Sequence, residues 1–197
     1  GDNPPPHVLL VGPPASAKSL MLEEISKRIK GSYLVLAGSA TRAGLRDIIA
    51  DMTPRILLID ELDKVVNSSD LSVLLSWMQS QRIIITMHGR YEVVECPYED
   101  GCKVIAAANS MSKIPREILS RFIRINIPEY TPEQVRDICV TILSKQGVSK
   151  EVAEYISVCV TDKLRSRDPR DCVKIASMMS TETKEEVDQI VSDILGT

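Results

Sequence analysis

The chain has 197 residues, with 24 Lys and Arg against 27 Asp and Glu, a formal charge of −3, and 44% hydrophobic residues. These values indicate a globular protein of one or two domains with a sizeable apolar core. The slightly acidic balance argues against nucleic-acid binding through bulk charge, although a few local basic residues remain compatible with it. The sequence has no membrane-length apolar run and no signal pattern, so neither membrane insertion nor secretion is expected.

Cysteine usage predicts reduced thiols and a cytoplasmic protein. The five cysteines are Cys96, Cys102, Cys139, Cys159 and Cys172. The last three fall in helical patterns and are expected to be buried apolar side chains. Cys96 and Cys102 bracket the loop PYEDG, so a disulfide between them is the alternative. The sequence has two histidines, His7 and His88, and no CxxC pair, so no zinc site is expected.

Short apolar runs alternate with segments of helical period along the first two thirds of the chain. The predicted strands are residues 7–12, 32–38, 55–60, 103–109 and 124–128. The predicted helices are residues 18–30, 41–52, 69–81 and 115–122. Strands without polar alternation are typical of sheets buried on both faces. We therefore predict the α/β class, with a parallel five-stranded sheet sandwiched by helices and joined by right-handed crossovers.

Two segments depart from this alternation. Residues 83–100 predict an inserted β-hairpin that turns near His88 and Gly89. After residue 128 the β-branched runs stop, and helices are predicted to start near Thr131, Ser149, Asp168 and Thr183. Thr131 opens a capping-box pattern with Pro in the first turn. We expect a nucleotide-binding core over residues 1–130 and a small all-helical lid domain over residues 131–197.

The segment GPPASAKS lies between the first predicted strand and the first predicted helix. It is the phosphate-binding loop pattern, with Ala17 where Gly usually precedes the Lys. Backbone N–H groups and the helix N-terminus would surround an oligophosphate there, with Lys18 as cation and the Ser19 hydroxyl as a Mg²⁺ ligand. The other expected phosphate-binding positions are Gly12, Pro13, Pro14, Ala15 and Ser16. The alternative is a Gly/Pro-rich turn that ends in Lys-Ser by chance, but the flanking strand and helix argue against it.

Two carboxylates end the third predicted strand, in the segment ILLIDELDK. Burying carboxylates is costly unless they serve a ligand. Asp60 is expected to hold the Mg²⁺ shell. Glu61 is our candidate to polarise the attacking water. Asp63 and Lys64 are interpreted as a helix-start cap and a solvated partner.

Together these residues resemble an AAA+ ATPase module, and further landmarks match that family. VIAAANS places Asn109 at the sensor-1 position, where the resemblance implies that it orients the lytic water; a simple strand-end cap is the alternative. LSRF places Arg121 at the arginine-finger position, where it would reach the neighbouring subunit's nucleotide; a surface charge is the alternative. RSRDPRD places Arg170 at the sensor-2 position of the lid, with Arg165 and Arg167 as competitors for that role.

Within the family, the details resemble a narrower branch. Ala before the loop Lys, GSATRAGL, IDELDK, the hairpin and AAANS resemble the minichromosome maintenance helicases and MoxR-type ATPases, and the motif DPRD is similar to the lid of RuvB-type branch-migration motors. In the helicase relatives the hairpin moves DNA, although the tip here carries His88 and Arg90 rather than a strongly basic sequence. Ala15 replaces another common glycine and is expected to strain the loop.

The resemblance implies a motor that binds ATP and Mg²⁺, hydrolyses ATP and self-associates into a ring, with six subunits expected. DNA is the expected substrate, as for a helicase or branch-migration translocase. A MoxR-like ATPase that remodels protein clients is the first alternative. A scaffold that binds nucleotide without hydrolysing it is the second.

Overall fold

The computed structural model describes residues 6–36, 42–64, 68–87 and 90–196, with the backbone alone at residues 42–44, 68–70, 86, 87 and 90. The chain divides into two compact units. The first ends at Ile127 and the second begins at Pro128, apart from loop residues Pro14–Ser16, which are grouped with the second. Among the described residues, no helix combines the length and apolar character needed to cross a membrane.

The first unit is built on a five-stranded parallel sheet, whose strands are β1 (His7–Val11), β2 (Ser32–Leu36), β3 (Ile56–Asp60), β6 (Lys103–Ala108) and β7 (Phe122–Asn126). Their order across the sheet is β2-β3-β6-β1-β7. The helices that alternate with them are α1 (Lys18–Arg28), α2 (Arg42–Met52), α3 (Ser68–Ser80) and α4 (Arg116–Leu119), and a 3-10 turn covers Leu62–Lys64. The predicted fold class is confirmed.

Apolar side chains cover both faces of this sheet, as the continuous apolar runs predicted. Every residue of β3 is buried, since Leu57 and Ile59 pack on one face while Ile56 and Leu58 pack on the other. Trp77 of α3 is fully buried within the first of these clusters. All five strands run the same way, so their carboxyl ends form one edge of the sheet and their amino ends form the opposite edge.

The boundary between α4 and β7 differs from the prediction. The sequence predicts a helix to residue 122 and a strand from residue 124, whereas α4 ends at Leu119 and β7 begins at Phe122. Phe122 is buried and lies in register with His7 of β1. Burial of this aromatic side chain against the sheet therefore determines where the strand begins, and a local helical pattern does not reveal that tertiary contact.

The predicted hairpin consists of β4 (Arg82–Met87) and β5 (Arg90–Glu95), which pair antiparallel. Ile83 and Ile85 point into the core, whereas Ile84 is 66% exposed on the other face. The predicted turn residues His88 and Gly89 and the side chain of Arg90 lie outside the described residues, as do residues 38–41 of the GSATRAGL motif.

The second unit is helical, with its own apolar core. Its helices are α5 (Pro132–Lys145), α6 (Lys150–Val158), α7 (Arg170–Met178) and α8 (Lys184–Leu195), and a π-helical turn extends α6 over Cys159–Lys163. Thr131 and Gln134 form the predicted capping box, in which the Thr131 hydroxyl accepts from the Gln134 N–H and the Gln134 side chain accepts from the Thr131 N–H. The π-helical turn was not predicted.

All five cysteines are free thiols, so the alternative disulfide between Cys96 and Cys102 is not present in this structure. Cys102 is fully buried, and the indole Nε1–H of Trp77 donates a hydrogen bond to its Sγ at 2.8 Å. Burial raises the pKa of the Cys102 thiol to about 12. Cys102 therefore acts as a neutral core side chain.

Candidate nucleotide-binding site

The loop Gly12–Ser19 joins β1 to α1 at the carboxyl edge of the sheet. The Gly12 N–H donates to the carbonyl of Ala108 at 3.3 Å, which ties the loop to the end of β6. Ala15 and Ala17 take left-handed φ values of 63° and 62°. An L-residue pays about 1–2 kcal/mol for this conformation, so the strain expected at Ala15 is present, and Ala17 carries it as well. Strain of this kind persists where the surroundings demand it, which is typical of ligand-binding loops.

Lys18 is the buried cation of this loop. It is 6% exposed, and its Nζ donates to the carbonyls of Gly12 and Pro13 at 2.8 and 2.7 Å. Burial lowers the pKa of the Lys18 ammonium, while the negative charges of Asp60 and Asp63 oppose that shift. The Lys18 side chain therefore bends back onto the loop. A bound anion would replace the two carbonyl oxygens as the hydrogen-bond acceptor of Nζ. Ser19 follows it in the first turn of α1 and is exposed.

The two carboxylates that end β3 have different surroundings. Asp60 is 8% exposed, and its Oδ1 accepts the Glu61 backbone N–H at 2.9 Å. Glu61 follows with a left-handed φ of 55°, and its Oε1 lies 2.9 Å from Nζ of Lys64. That ion pair is partly exposed, so it contributes little to stability. Asp60 is thus fixed in the strand end, whereas the Glu61 carboxylate is held by an exchangeable partner.

Asn109 comes directly after β6, beside the end of β3. Its backbone N–H donates to Oδ1 of Asp63 at 3.1 Å. Asp63 therefore links two strand ends, in place of the predicted role as a helix-start cap. Lys64 pairs with Glu61, which the sequence interpretation did not identify; the spacing of three residues on a helical turn was the available signal.

The carboxyl edge of the sheet therefore brings together most of the predicted site. The loop, Lys18, Asp60, Glu61 and Asn109 meet there through the contacts above. A buried ammonium, a buried carboxylate and a nearby hydroxyl at Ser19 form a suitable set for an oligophosphate and a hard divalent cation. Among the described residues, no cluster of three or more His, Cys, Asp and Glu offers a separate metal site.

Arg121 lies at the opposite edge of the sheet. It immediately precedes β7, whose first residue pairs with the first residue of β1, whereas the loop begins after the last residue of β1. The strand length of five residues, at about 3.3 Å per residue, separates the two positions. The structure therefore does not bring Arg121 to the phosphate loop of its own chain.

Arg170 opens α7 in the second unit, and Asp168 holds its side chain. The Arg170 Nε donates to Asp168 Oδ1 at 2.9 Å, and its Nη2 donates to Oδ2 at 2.7 Å. The Asp168 Oδ1 also accepts the Arg170 backbone N–H at 2.9 Å. The guanidinium lowers the pKa of the Asp168 carboxyl, and the carboxylate raises the pKa of Arg170.

Comparison with known proteins agrees with this geometry. Residues 8–129 match the family described as "ATPase family associated with various cellular activities (AAA)". The chain is 23% identical over 201 residues to a proteasome-activating nucleotidase of Methanocella arvoryzae, covering 95% of this chain and 48% of that protein. It is 28% identical over 178 residues to the 26S protease regulatory subunit 6A of Caenorhabditis elegans, covering 82% and 41% respectively. The chain thus spans less than half the length of both relatives.

Solved structures share the fold. The Thermotoga maritima RuvB Holliday junction branch migration motor aligns with a TM-score of 0.67 at 17% identity, covering 96% of this chain and 62% of that one. A mutant of the same RuvB aligns with a TM-score of 0.71 at 18% identity, covering 97% of this chain and 63% of that one.

The matched family is one of ATPases that use ATP with Mg²⁺, and the buried Lys18 ammonium and buried Asp60 carboxylate beside the loop fit these two ligands. The family match covers well over half of the chain and includes the phosphate loop, the end of β3, the end of β6 and Arg121. On these grounds, the chain belongs to the AAA family of ATPases.

Proposed function

We propose that this chain is the ATP-hydrolysing motor module of a ring, with six subunits expected, in which neighbouring copies share each active site. The observation that carries the proposal is the separation described above. Lys18, Asp60, Glu61 and Asn109 meet at the carboxyl edge of the sheet, while Arg121 lies at the amino edge. A complete site that uses all of these residues requires a second copy of the chain.

In this proposal, the residues of one chain divide the work. Lys18 and the loop N–H groups of residues 12–19 bind phosphate, and Ser19 with Asp60 would hold Mg²⁺, which supplies charge neutralisation to the phosphates. The Glu61 carboxylate first breaks its ion pair with Lys64 and then accepts a proton from the attacking water. Asn109 orients that water. Arg121 of a neighbouring copy stabilises the charge that develops on the transferred phosphoryl group.

The second unit, with the domain boundary near residue 130, is proposed to act as the lid. Arg170 would sense the nucleotide there, at the start of a helix where anions are favoured. Its bonds to Asp168 mean that this guanidinium must change partner to contact a phosphate. We propose that the module works in the cytoplasm, the compartment that the free thiols favour.

The proposed substrate of the motor is DNA, supported by the hairpin that precedes β6 in the chain and by a RuvB-like fold. A protein client is the second candidate, and a specific observation favours it. The sequence relatives include proteasome-activating nucleotidases, to which this chain aligns over most of its own length. The resemblance to the minichromosome maintenance and MoxR branch stays a proposal, and that branch contains motors of both types.

The substrate class is tested with the full-length protein by measuring ATP turnover with single-stranded, duplex or branched DNA and with an unfolded protein. A DNA motor should be stimulated by DNA, and the DNA binding should weaken as salt is raised, because phosphate contacts release counterions. Stimulation by the unfolded protein alone would instead establish the protein-client alternative.

Hydrolysis itself is tested by Glu61→Gln, which keeps the side-chain shape and removes the base. We expect ATP turnover to fall by roughly 10²–10⁴-fold while ATP remains bound, because a positioned general base contributes about that factor. Glu24→Gln is the control, since Glu24 is an exposed partner of Lys27 and Arg28 on α1. Unchanged turnover in Glu61→Gln would contradict the assigned base, and an absence of turnover in the wild type would favour the scaffold alternative.

A further inference from the structure

Arg121 occupies a defined place on the first unit. Its backbone N–H donates to the carbonyl of Ile118 at 3.0 Å, which closes the turn after α4. The side chains of Ile118 and Phe122 on either side are 2% and 8% exposed. The backbone of Arg121 is therefore fixed by buried neighbours, and the direction of its exposed guanidinium depends on what the side chain contacts.

Gln79, at the end of α3, supplies that contact. With its amide oxygen turned towards Arg121, Gln79 accepts hydrogen bonds from Nη2 at 2.5 Å and from Nε at 3.2 Å. The amide oxygen must face Arg121, because a guanidinium has five donors and no acceptor. Two bonds to one oxygen, from two atoms of a planar group, restrict the rotation of that group as well as its position.

The nearby ring of His7 does not compete with Gln79 for this guanidinium. The Nδ1 of His7 accepts the Val104 N–H at 3.0 Å, so Nε2 carries the proton towards the carbonyl of Met78 at 3.3 Å. Burial lowers the pKa of His7, and the positive charge of Arg121 lowers it further. A neutral imidazole with both nitrogens engaged has no acceptor left for Arg121, so Gln79 alone, among the described contacts, orients the guanidinium.

We propose that Gln79 is a positioning residue for ATP hydrolysis, because it aims Arg121 at the nucleotide of the neighbouring copy. The inference rests on the proposed shared site. It extends that site to α3, which carries no residue of the AAA motifs identified above. Gln79 itself touches neither nucleotide nor water, and its effect on hydrolysis passes entirely through Arg121.

The test uses the full-length protein and the variant Gln79→Met, which keeps an unbranched side chain of similar length and removes the acceptor. We expect turnover at saturating ATP to fall by roughly ten- to a hundred-fold, since a misplaced catalytic group can cost about that factor. The Kd for ATP should not change, because Gln79 lies at the edge opposite the phosphate loop. Ser80→Ala is the matched control, as Ser80 is the next residue and its hydroxyl donates to the carbonyls of Ser76 and Arg82.

A purely structural role for Gln79 would give a different pattern in two further measurements. In an Arg121→Ala background, Gln79→Met should cause no additional loss, because the group it positions is gone. Mixing the Gln79→Met chain with a Lys18→Ala chain should restore turnover above the sum of the two alone. In the mixed assembly, an intact loop from the first chain meets a well-placed Arg121 from the second.

The outcomes separate this inference from the function on which it rests. If Arg121→Ala leaves turnover unchanged, both the shared site and the role of Gln79 are wrong. If Arg121→Ala lowers turnover but Gln79→Met does not, the shared site stands and the positioning role is overturned. Losses that add fully in the double variant, or a mixture that shows no recovery, also overturn the positioning role.

Discussion

The two edges of the parallel sheet have opposite chemical character. At the carboxyl edge, Ala15, Ala17 and Glu61 adopt left-handed backbone conformations, and the ammonium of Lys18 is buried beside Asp60. At the amino edge, the buried ring of His7 is neutral and both of its nitrogens are paired, whereas the charged side chain of Arg121 is exposed.

The difference shows how one scaffold supports two tasks. Buried charge costs stability, and the buried charged side chains among the described residues, Lys18 and Asp60, both lie where a ligand would repay that cost. Paired neutral groups in the interior hold the opposite end of the same strands in register. Substitutions of the buried, paired groups at the amino edge should therefore affect folding, whereas those of Lys18 and Asp60 at the carboxyl edge should affect nucleotide binding and turnover.

The largest expected effect on stability is at the amino edge, in Gln81→Ala. The Gln81 Oε1 accepts the N–H of Cys102 at 2.6 Å, and its Nε2 donates to the Cys102 carbonyl at 3.4 Å. Removal of this clamp leaves backbone groups of a fully buried residue unpaired, so we expect a loss of about 2 kcal/mol in the free energy of unfolding by urea. Gln189→Ala, which removes one exposed bond to Asp193, should change it by less than about 0.5 kcal/mol.

A changed Kd for ATP in the Gln81→Ala variant would contradict the assignment of folding to the amino edge and nucleotide binding to the carboxyl edge. Equal stability of Gln81→Ala and the wild type would show that the clamp does not hold the start of β6.

A smaller effect is expected from the titration of His7. Burial lowers the pKa of His7 in the folded state below its value in the unfolded chain, near 6.5. The unfolded state therefore binds the proton first, so the contribution of neutral His7 is complete above about pH 6.5 and is lost as the pH falls towards the folded-state pKa. The slope from this one group cannot exceed about 1.4 kcal/mol per pH unit.

The measurement is the free energy of unfolding between about pH 7.5 and 5.5, compared with His7→Gln. The wild type should lose stability more steeply than the variant over that range. Parallel curves for the two proteins would contradict the assignment of a neutral His7, whatever the difference in their absolute stability.

The smallest effect is expected at the carboxyl edge, in Ala15→Gly. Glycine adopts a φ of 63° without the clash of a Cβ, although it loses more entropy on folding. We expect a net gain of about 0.5–1 kcal/mol in the free energy of unfolding. Ala50→Gly, within helix α2, is the control and should instead lose about 1 kcal/mol. A loss of stability in Ala15→Gly would show that the loop does not store strain at this position.

Sequence patterns predicted the fold and the core of the site because both depend on local signals. The phosphate loop, the strand that ends at Asp60 and the capping box at Thr131 are each contained within a few consecutive residues. The start of β7 was misplaced because it depends on Phe122 packing against a sheet formed by distant residues. The partners of Glu61, Arg121 and Arg170 were also missed, because motif patterns carry no information on which neighbouring side chain holds each charge.

The parallel direction of β1 and β7 has a further consequence for association. In the proposed shared site, a single copy carries the donor group, Arg121, and the receptor, the loop at Gly12–Ser19, on opposite edges of its sheet. Copies that join through these two surfaces associate head to tail, and any open row of them leaves one receptor without a donor. A pair of copies would thus complete one site out of two, and the completed fraction would rise as the row lengthens until closure leaves no terminal subunit. The rate per chain should therefore increase with protein concentration.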